Sequence, residues 1–227
     1  MGILKRGAGR QARGHQTDAL SLPETAGCFF TPGCLERRGN MREKIILENV
    51  AMERALTRIA HEIIERNEEM EGLALIGIQR RGVPLARRIA SRIEAACGVA
   101  PAVGMIDITL YRDDLSELTE HPVISATDIP FVVQGRTIVM VDDVIFTGRT
   151  ARSAMDAIMD MGRPKCLQLA AFIDRGHREL PIRPDYVGKN VPTSLRERIA
   201  VHVAETDGCD YVSIVQEEGA EEQTSEK

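Results

Sequence analysis

Hydrophobic and polar residues follow two different rhythms along this chain. Between residues 50 and 67, apolar side chains recur every three or four positions, a spacing that predicts an amphipathic helix. That stripe consists of Met52, Leu56, Ile59 and Ile63. The run from 73 to 78 is short and continuously apolar apart from one glycine, which predicts a buried strand.

The two patterns alternate through the rest of the chain. They predict further helices over 83–96 and 148–161, and further strands over 103–110, 137–141, 166–173, 199–203 and 211–215. Strands that alternate with helices in this way predict an α/β fold, a mostly parallel sheet flanked by helices. Ligands of such sheets bind beyond the carboxyl ends of the strands, so the residues that follow each strand are the first candidates for function.

Both ends of the chain lack this periodicity. Residues 1–40 combine six basic and three acidic residues with many glycines, and residues 216–227 contain five glutamates and one lysine. Neither composition offers enough apolar surface to offset the entropy of ordering the chain. We therefore expect a disordered N-terminal extension over 1–40, a folded domain over 41–215 and an acidic disordered tail over 216–227.

Composition narrows the class of protein. Hydrophobic residues make up 43% of the 227 residues, and no apolar run approaches the roughly 18 residues needed to cross a bilayer. The net charge of −5 gives no general attraction for nucleic acid, so RNA binding would require a local basic face. The five cysteines are irregularly spaced and form no CxxC pair, which indicates neither a zinc ribbon nor a disulfide framework. We expect a cytoplasmic protein without membrane contact.

The strongest candidate site follows the strand predicted over 137–141. Asp142 and Asp143 place two carboxylates at the end of an apolar strand, where they are costly unless hydroxyl groups or a cation meet them. The next residues, 144–150, are rich in hydroxyl groups and glycine and lead into a helix, whose free N-terminal amides attract phosphate. A sugar diol and a phosphate together match a ribose 5-phosphate. From these residues alone, a plain strand end followed by a helix cap is an equally weighted alternative.

Residues 138–150 resemble the phosphoribosyl pyrophosphate (PRPP) motif of type I phosphoribosyltransferases. That motif is an apolar strand, two acidic residues, small or apolar spacers, and Thr-Gly-x-Thr, and this stretch meets every position. The resemblance implies the type I fold, a mostly parallel sheet with a small hood, and Mg²⁺ that is held through PRPP. It implies that Asp142 and Asp143 bind the ribose hydroxyls. The other implied PRPP contacts are Val144 and, around the 5′-phosphate, Thr147, Gly148, Arg149 and Thr150.

Two further segments resemble loops of the same family. Gln79, Arg80 and Arg81 connect the first predicted strand to the next helix and look like the pyrophosphate loop, since a guanidinium binds pyrophosphate through paired charged hydrogen bonds. Taken alone, this segment is more typical of a solvated turn. With the motif beside it, we expect catalysis to rest on Arg81, Asp142 and Asp143. The polar stretch that contains Tyr111, Arg112, Asp113 and Asp114 resembles the mobile loop that excludes water from the site.

Residues 55–67, 106–115 and 174–194 sharpen the resemblance to one subgroup, the bacterial regulators of the pyrimidine (pyr) operon that also act as uracil phosphoribosyltransferases. This resemblance covers about residues 43–215. It implies uracil, PRPP, UMP or UTP and pyr mRNA as partners, and a homo-oligomer. By position, it places the uracil site in the hood, at Tyr186, Val187, Gly188 and Lys189.

The helix over 50–67 carries the candidate RNA face. Thr57, Arg58 and His61 lie off the apolar stripe at helical spacing and share a surface. In the subgroup, the residues that match these three and Arg66 belong to the RNA-binding face. Glutamates at 53, 62 and 65 interleave with them, a mixture typical of a solvated helix. Two alternatives therefore stay open: a phosphoribosyltransferase for another base without RNA binding, and an RNA regulator with vestigial catalysis.

Overall fold

The computed structural model describes residues 41–108 and 127–217, and helices and strands alternate through both ranges. In chain order the elements are β1 (Met41–Glu48), α1 (Asn49–Arg66), β2 (Leu73–Ile78), α2 (Gly82–Cys97), β3 (Ala102–Ile106), β4 (Thr137–Ile145), α3 (Arg149–Met161), β5 (Cys166–Asp174), β6 (Tyr186–Asn190), β7 (Glu197–His202), α4 (Ala204–Asp207) and β8 (Tyr211–Glu217). None of the helices in these ranges combines the length and apolarity needed to cross a membrane.

The centre of the molecule is a five-stranded sheet with the order β3-β2-β4-β5-β6, in which every neighbouring pair is parallel. Every residue of β2 is buried. A parallel strand covered on both faces has no solvent side, which explains why its sequence is continuously apolar rather than alternating. The predicted α/β fold, a mostly parallel sheet flanked by helices, is confirmed.

Helices cover the two faces of this sheet, and the sheet's side chains alternate between them. Leu75 of β2 and Val139 of β4 pack with α1 and α2, whereas Ile76 and Met140 pack with α3. α2 ends at Gly98, whose φ of 75° lies in the left-handed region that glycine adopts without strain.

A second, three-stranded antiparallel sheet, β1-β8-β7, forms the small hood. Leu47, Val201 and Val212 attach it to the core that contains α1 and α2. From here on, the hood means this sheet together with α4, which connects β7 to β8.

Most element bounds differ from the sequence-based predictions by one or two residues, and some differ by more. The strand predicted over 137–141 continues to Ile145, so the carboxylate pair lies within β4 and not after it. β1 and β6 were not predicted as strands, since β1 buries little beyond Leu47 and β6 is a short edge strand. The strand predicted over 103–110 ends at Ile106, and its last two predicted positions, 109 and 110, lie outside the described residues. The acidic tail was placed from 216 onward, and this boundary is wrong: Gln216 and Glu217 are the last residues of β8, paired with β1.

Candidate active site

The two carboxylates of the PRPP-like motif lie where β4 extends past its neighbour. β2 pairs with β4 only as far as Val141, so Asp142 is the first residue of β4 without a partner on that side. Asp142 is buried, with 5% of its surface exposed, and Asp143 is half-buried. The amide of Asp143 donates to Oδ1 of Asp142 at 2.9 Å, and the amide of Val144 donates to Oδ1 of Asp143 at 2.9 Å. Burial, reinforced by the charge of Asp143, raises the pKa of Asp142 well above its usual range.

The turn after β4 leads directly into α3. Gly148 precedes the helix with a φ of 93°, in the left-handed region, and supplies no side-chain cap. The amide of Arg149 donates to Oγ1 of Thr147 at 3.3 Å. Asp142 and residues 144–153 line a cleft of about 310 Å³, and Val144, Thr147, Arg149 and Thr150 are among them. Asp142 and the predicted phosphate residues are therefore brought to one cleft, at the N-terminus of a helix, whereas Asp143 is not among the residues that line it.

The turn is braced by the segment that follows β5, which we call the brace (residues 174–183). The carbonyl of Thr147 accepts hydrogen bonds from the amides of Glu179 at 3.0 Å and Leu180 at 3.1 Å. Arg178 donates to the carbonyl of Phe146 at 2.7 Å and to Oδ2 of Asp174 at 2.6 Å. Sequence reasoning assigned this segment to the subgroup but did not find its role in holding the turn.

Arg175, also in the brace, ties the turn to the hood. Its guanidinium is buried and lies 4.0 Å above the ring of Phe146. It also donates to the carbonyl of Glu197 in β7 at 2.8 Å and to Oγ1 of Thr193 at 3.1 Å. Burial lowers the pKa of Arg175, and the carbonyl, hydroxyl and ring contacts replace the water that this cation loses.

The pyrophosphate-like loop opens beside Asp142, after the end of β2. A Cβ on Gly82 would lie 2.3 Å from the carbonyl oxygen of Val141, so only glycine lets the start of α2 pack this close to β4. Arg80 is exposed, and the peptide bond between Gln79 and Arg80 is cis. Arg81 forms a two-point ion pair with Asp207 of the hood, at 3.0 and 2.9 Å.

The segment predicted to bind uracil is not in the hood, and that placement is wrong. Tyr186, Val187, Gly188 and Lys189 form most of β6, the edge strand of the main sheet. The ring of Tyr186 is buried, and its hydroxyl donates to Gln168 at 2.9 Å and accepts from Asn67 at 3.2 Å. Tyr186 therefore belongs to the core, because its polar group is already satisfied beneath α1.

The candidate RNA face is exposed on α1, although Thr57, Arg58 and Arg66 also have structural partners, which for Thr57 are the carbonyl of Glu53 and the side chain of Arg92. Thr57, Arg58, His61 and Arg66 are all exposed. Arg66 pairs with Asp185 at 2.7 Å, and Arg58 pairs with Glu62 at 2.7 Å and reaches the main chain of β6. His61 makes no hydrogen bond or ion pair with any residue that the structure describes.

Two predicted features lie partly or wholly outside the described residues. Tyr111, Arg112, Asp113 and Asp114 of the predicted mobile loop fall in the range 109–126, for which nothing is described. Among the residues that are described, no group of three or more His, Cys, Asp or Glu side chains is arranged to hold a metal ion. Asp142 and Asp143 supply only two carboxylates. Such a pair is typical of sites in which Mg²⁺ is held mainly by the phosphates of a substrate and by water, and not by a full set of protein ligands.

Comparison with known proteins agrees with this geometry. The phosphoribosyl transferase domain family matches residues 43–205. The bifunctional protein PyrR of Pelotomaculum thermopropionicum is 60% identical over 176 residues, which cover 77% of this chain and 97% of that protein. PyrR of Acetivibrio thermocellus is 62% identical, and PyrR of Deinococcus radiodurans is 56% identical, each over 74% of this chain and 92% of the relative.

Solved structures share the fold at low sequence identity. The hypoxanthine phosphoribosyltransferase of Trypanosoma cruzi has a TM-score of 0.60 and 16% identity, over 77% of this chain and 97% of that one. The Staphylococcus aureus enzyme of the same name has a TM-score of 0.57 and 15% identity, over 74% and 90% of the two chains. The type I phosphoribosyltransferase fold is thereby confirmed. Together with the PyrR relatives, these matches place the chain in the phosphoribosyltransferase family, within its PyrR group.

Proposed function

We propose that this protein transfers the phosphoribosyl group of PRPP to uracil, giving UMP and pyrophosphate, and that it binds pyr operon mRNA when UMP or UTP occupies the same pocket. One observation carries the enzymatic half: the buried carboxylate of Asp142 and the N-terminus of α3 line a single cleft, and Asp143 adjoins it in the chain. The bifunctional PyrR relatives support the combination of the two activities.

In this proposal the cleft holds the ribose 5-phosphate end of PRPP. Asp142 and Asp143 accept hydrogen bonds from the ribose hydroxyls. Burial disfavours the charged form of Asp142, and these hydrogen bonds favour it again when the ligand is bound. The 5′-phosphate lies against the first amides of α3, where the helix dipole and free N–H groups attract an anion. Its contacts are Thr147, Gly148, Arg149 and Thr150, with Val144 beneath the ribose.

The pyrophosphate would be bound by Gln79, Arg80 and Arg81. Arg80 is exposed and makes no ion pair within residues 41–108 and 127–217, so its guanidinium is available to a ligand. Mg²⁺ fits this arrangement, since it typically keeps several waters and binds one or two carboxylates together with substrate phosphates. When bound, it neutralises part of the charge on the pyrophosphate.

Catalysis then rests on positioning and electrostatics. The bond between the ribose C1 and the pyrophosphate oxygen breaks, C1 joins a ring nitrogen of uracil, and the proton of that nitrogen passes to the departing pyrophosphate or to solvent. Positive charge develops on the ribose and negative charge on the departing pyrophosphate. Arg81, which Asp207 holds in place, stabilises that negative charge without having to reorganise, and the exposed Arg80 adds a second positive charge.

We place the uracil at the carboxyl end of β6, near Lys189, and not against Tyr186. Ligands of parallel sheets bind beyond the carboxyl ends of their strands, and this end of β6 leads towards Thr193, where Arg175 joins the brace to the hood. In this proposal Val187, Gly188 and Lys189 contact the base through their main chain. Gly188 is held close to β5, since a Cβ there would lie 2.3 Å from the carbonyl oxygen of Phe172.

The RNA half of the proposal rests on the exposed face of α1. Thr57, Arg58, His61 and Arg66 would contact the transcript, with Arg58 and Arg66 supplying the positive charge that a protein of net charge −5 otherwise lacks. A cytoplasmic location is part of this proposal, because the transcript and the free thiols of Cys97 and Cys166 both belong to a reducing compartment. So is a homo-oligomer, which light scattering would test.

A base panel tests the enzymatic half. Purified protein is incubated with PRPP, Mg²⁺ and radiolabelled uracil, hypoxanthine or guanine, and nucleotide formation is measured. We expect UMP and no purine nucleotide. Formation of a purine nucleotide would favour the alternative of a different base, and no product with any base would favour an RNA regulator with vestigial catalysis.

Filter binding with a pyr leader transcript, with and without UMP, tests the other half. We expect tighter binding with UMP.

The cleft itself is tested by replacing Asp142 and Asp143 with Asn, which should lower kcat/KM for PRPP at least tenfold, since a charged hydrogen bond contributes about 1.5–3 kcal/mol. Unchanged turnover by the double variant would contradict the assignment.

A further inference from the structure

The pyrophosphate-like loop is held from outside by a residue of the hood. Arg81 donates from Nε to Oδ2 of Asp207 at 3.0 Å and from Nη2 to Oδ1 at 2.9 Å, so the planar guanidinium meets the carboxylate edge to edge. Two-point pairs of this kind fix the orientation of an arginine as well as its position. The two residues are 126 positions apart in the sequence.

This pairing leaves part of the guanidinium available on its other side. Arginine has five N–H donors, of which Asp207 takes two, and Nη1 is not among them. The carboxylate of Asp143 lies near enough to help raise the pKa of Arg81, although the bond to Asp207 is the larger cause. The guanidinium therefore lies within electrostatic range of Asp143 and keeps three N–H donors that Asp207 does not use.

Asp207 is itself rigidly held. Its Oδ2 accepts from the amide of Val203 at 3.0 Å, and its own amide donates to the carbonyl of Val203 at 2.7 Å. Seven residues along α2 from Arg81, Arg88 pairs with Glu205 at 2.6 Å and with Asp210 at 2.8 Å. Seven residues are about two helical turns, so Arg81 and Arg88 lie on the same side of the helix. Both arginines therefore pair with carboxylates in or beside α4.

We propose that Asp207 is a positioning residue of the phosphoribosyl transfer: it holds the Arg81 guanidinium so that the remaining N–H donors face the pyrophosphate of PRPP. The inference rests on the proposed function and deepens it, because it assigns the hood a part in binding pyrophosphate. In metal sites, second partners that orient a ligand contribute about 10–100-fold to affinity or activity, and we take that range as the guide for a partner that orients an arginine.

Whether Asp207→Asn weakens or tightens the binding of pyrophosphate distinguishes an orienting role from a purely electrostatic one. Asp207 is a negative charge near the place proposed for a highly charged anion. If it acted only through its charge, Asp207→Asn would tighten the binding of pyrophosphate, because repulsion would be removed. If it orients Arg81, the same substitution weakens binding. Glu205→Gln is the matched control, since it removes a carboxylate from the same α4 segment and from the same kind of two-point arginine pair, outside the loop.

The experiment measures binding of inorganic pyrophosphate and of PRPP by calorimetry, with Mg²⁺ and without uracil, and then steady-state kinetics. We expect Asp207→Asn to weaken both ligands about tenfold, at the low end of the range for an orienting partner, and to raise KM for PRPP but not for uracil. Asp207→Glu, which retains the carboxylate, should restore part of the affinity. Glu205→Gln should change neither ligand's affinity by more than about twofold, the scatter of an uncoupled site.

A double-mutant cycle shows whether Asp207 acts through Arg81. Once Arg81 is replaced by Ala, adding Asp207→Asn should weaken PRPP binding no further, whereas two independent effects would add. Equal or tighter pyrophosphate binding by Asp207→Asn, or additivity in the cycle, would overturn the inference. Circular dichroism melts accompany each variant, and if Asp207→Asn does not fold, the cycle is run with Asp207→Ser, which also removes the carboxylate.

The two proposals fail differently. If the parent protein forms no UMP, the proposed function is wrong, while the pyrophosphate titrations still decide the role of Asp207. If the parent is active and Asp207→Asn behaves like Glu205→Gln, the proposed function stands and Asp207 is only a structural link between hood and helix.

Discussion

Arg58 donates from Nη2 to the carbonyl of Gly188 at 2.5 Å, and thereby joins the proposed RNA face to the edge strand of the main sheet. The same nitrogen lies 3.1 Å from the carbonyl of Val187. β6 is an edge strand, so these carbonyls would otherwise be open to another chain. Replacing Arg58 would therefore remove a structural contact to β6 as well as the proposed contact to RNA, so Arg58 by itself is a poor probe of RNA binding.

His61 is the cleaner probe of the RNA face. It is exposed and has no polar partner among the described residues, so His61→Ala should leave stability and uracil phosphoribosyltransferase activity unchanged. A lost base contact should weaken binding of the pyr leader by about 1–3 kcal/mol. Arg58→Ala should weaken RNA binding too, but should also lower the free energy of unfolding by about 1 kcal/mol, the contribution of a typical hydrogen bond.

Filter binding, urea denaturation and the enzyme assay are run on the same preparations. Arg163→Ala is the matched control, since it removes an exposed arginine just beyond α3, the helix on the opposite face of the sheet. If His61→Ala and Arg58→Ala both bind the transcript as tightly as the parent, α1 is not the RNA face.

Gly82 provides a test of how the pyrophosphate loop is placed. A Cβ at this position would lie 2.3 Å from the carbonyl oxygen of Val141, so Gly82→Ala must push α2 away from β4. We expect the free energy of unfolding to fall by about 1–3 kcal/mol, the usual cost of overpacking, and PRPP affinity to fall with it.

Gly72→Ala is the control for the Gly82 variant, because a Cβ there would meet nothing within 4 Å. Its effect on unfolding should stay within about 0.5 kcal/mol, as for surface substitutions in general. Equal stability of the two variants in urea titrations would show that the loop does not depend on this close approach.

The domain boundaries are tested by two truncations. Removing residues 1–40 should leave the melting temperature and activity almost unchanged, because their sequence offers no core-forming pattern. Removing residues 1–48 also deletes β1, including buried Leu47 and the Glu43 carboxylate that accepts from the buried hydroxyl of Ser213 at 2.6 Å. That variant should lose several degrees, as calorimetry would show, whereas a large loss on removing 1–40 would show that this segment packs.

The sequence was sufficient to predict those parts of the fold and site that lie in one contiguous segment. The strand, carboxylate pair and helix start around Asp142 are adjacent in the chain, and their spacing carries the chemistry directly. β2 was predictable because a strand buried on both faces is a continuous apolar run, and α2 because a helix buried along one stripe has apolar residues every three or four positions. Whether the named residues bind PRPP, uracil or RNA stays a prediction.

What could not be predicted depends on contacts between distant segments. β1 has three exposed charged residues near its start, 42–44, and becomes a strand only because β8, far along the chain, pairs with it. Tyr186 was assigned to a base site because no local pattern shows that Gln168 and Asn67 satisfy its hydroxyl. The pair between Arg81 and Asp207 is likewise a property of the tertiary fold.

Asp142 should be destabilising in the ligand-free protein. Burial raises its pKa well above the usual range, so ionising it costs more in the folded than in the unfolded chain. The parent therefore loses stability as pH rises from the ordinary aspartate pKa through the raised one. Asp142→Asn keeps the acceptor for the amide of Asp143 and removes the charge, so it escapes that loss.

The gain in unfolding free energy of Asp142→Asn over the parent should be close to zero near pH 4, should grow through the raised pKa and should then level off. Stabilising substitutions at strained functional sites commonly add about 0.5–2 kcal/mol, and we expect a gain in that range at pH 8, together with the loss of PRPP turnover. Urea titrations of both proteins between pH 4 and 8 measure the difference, in which the other titrating groups largely cancel. Asp143→Asn should gain less, because that carboxylate is only half-buried. A pH-independent difference, or a less stable Asp142→Asn at pH 8, would show that the buried carboxylate is not held at the expense of stability.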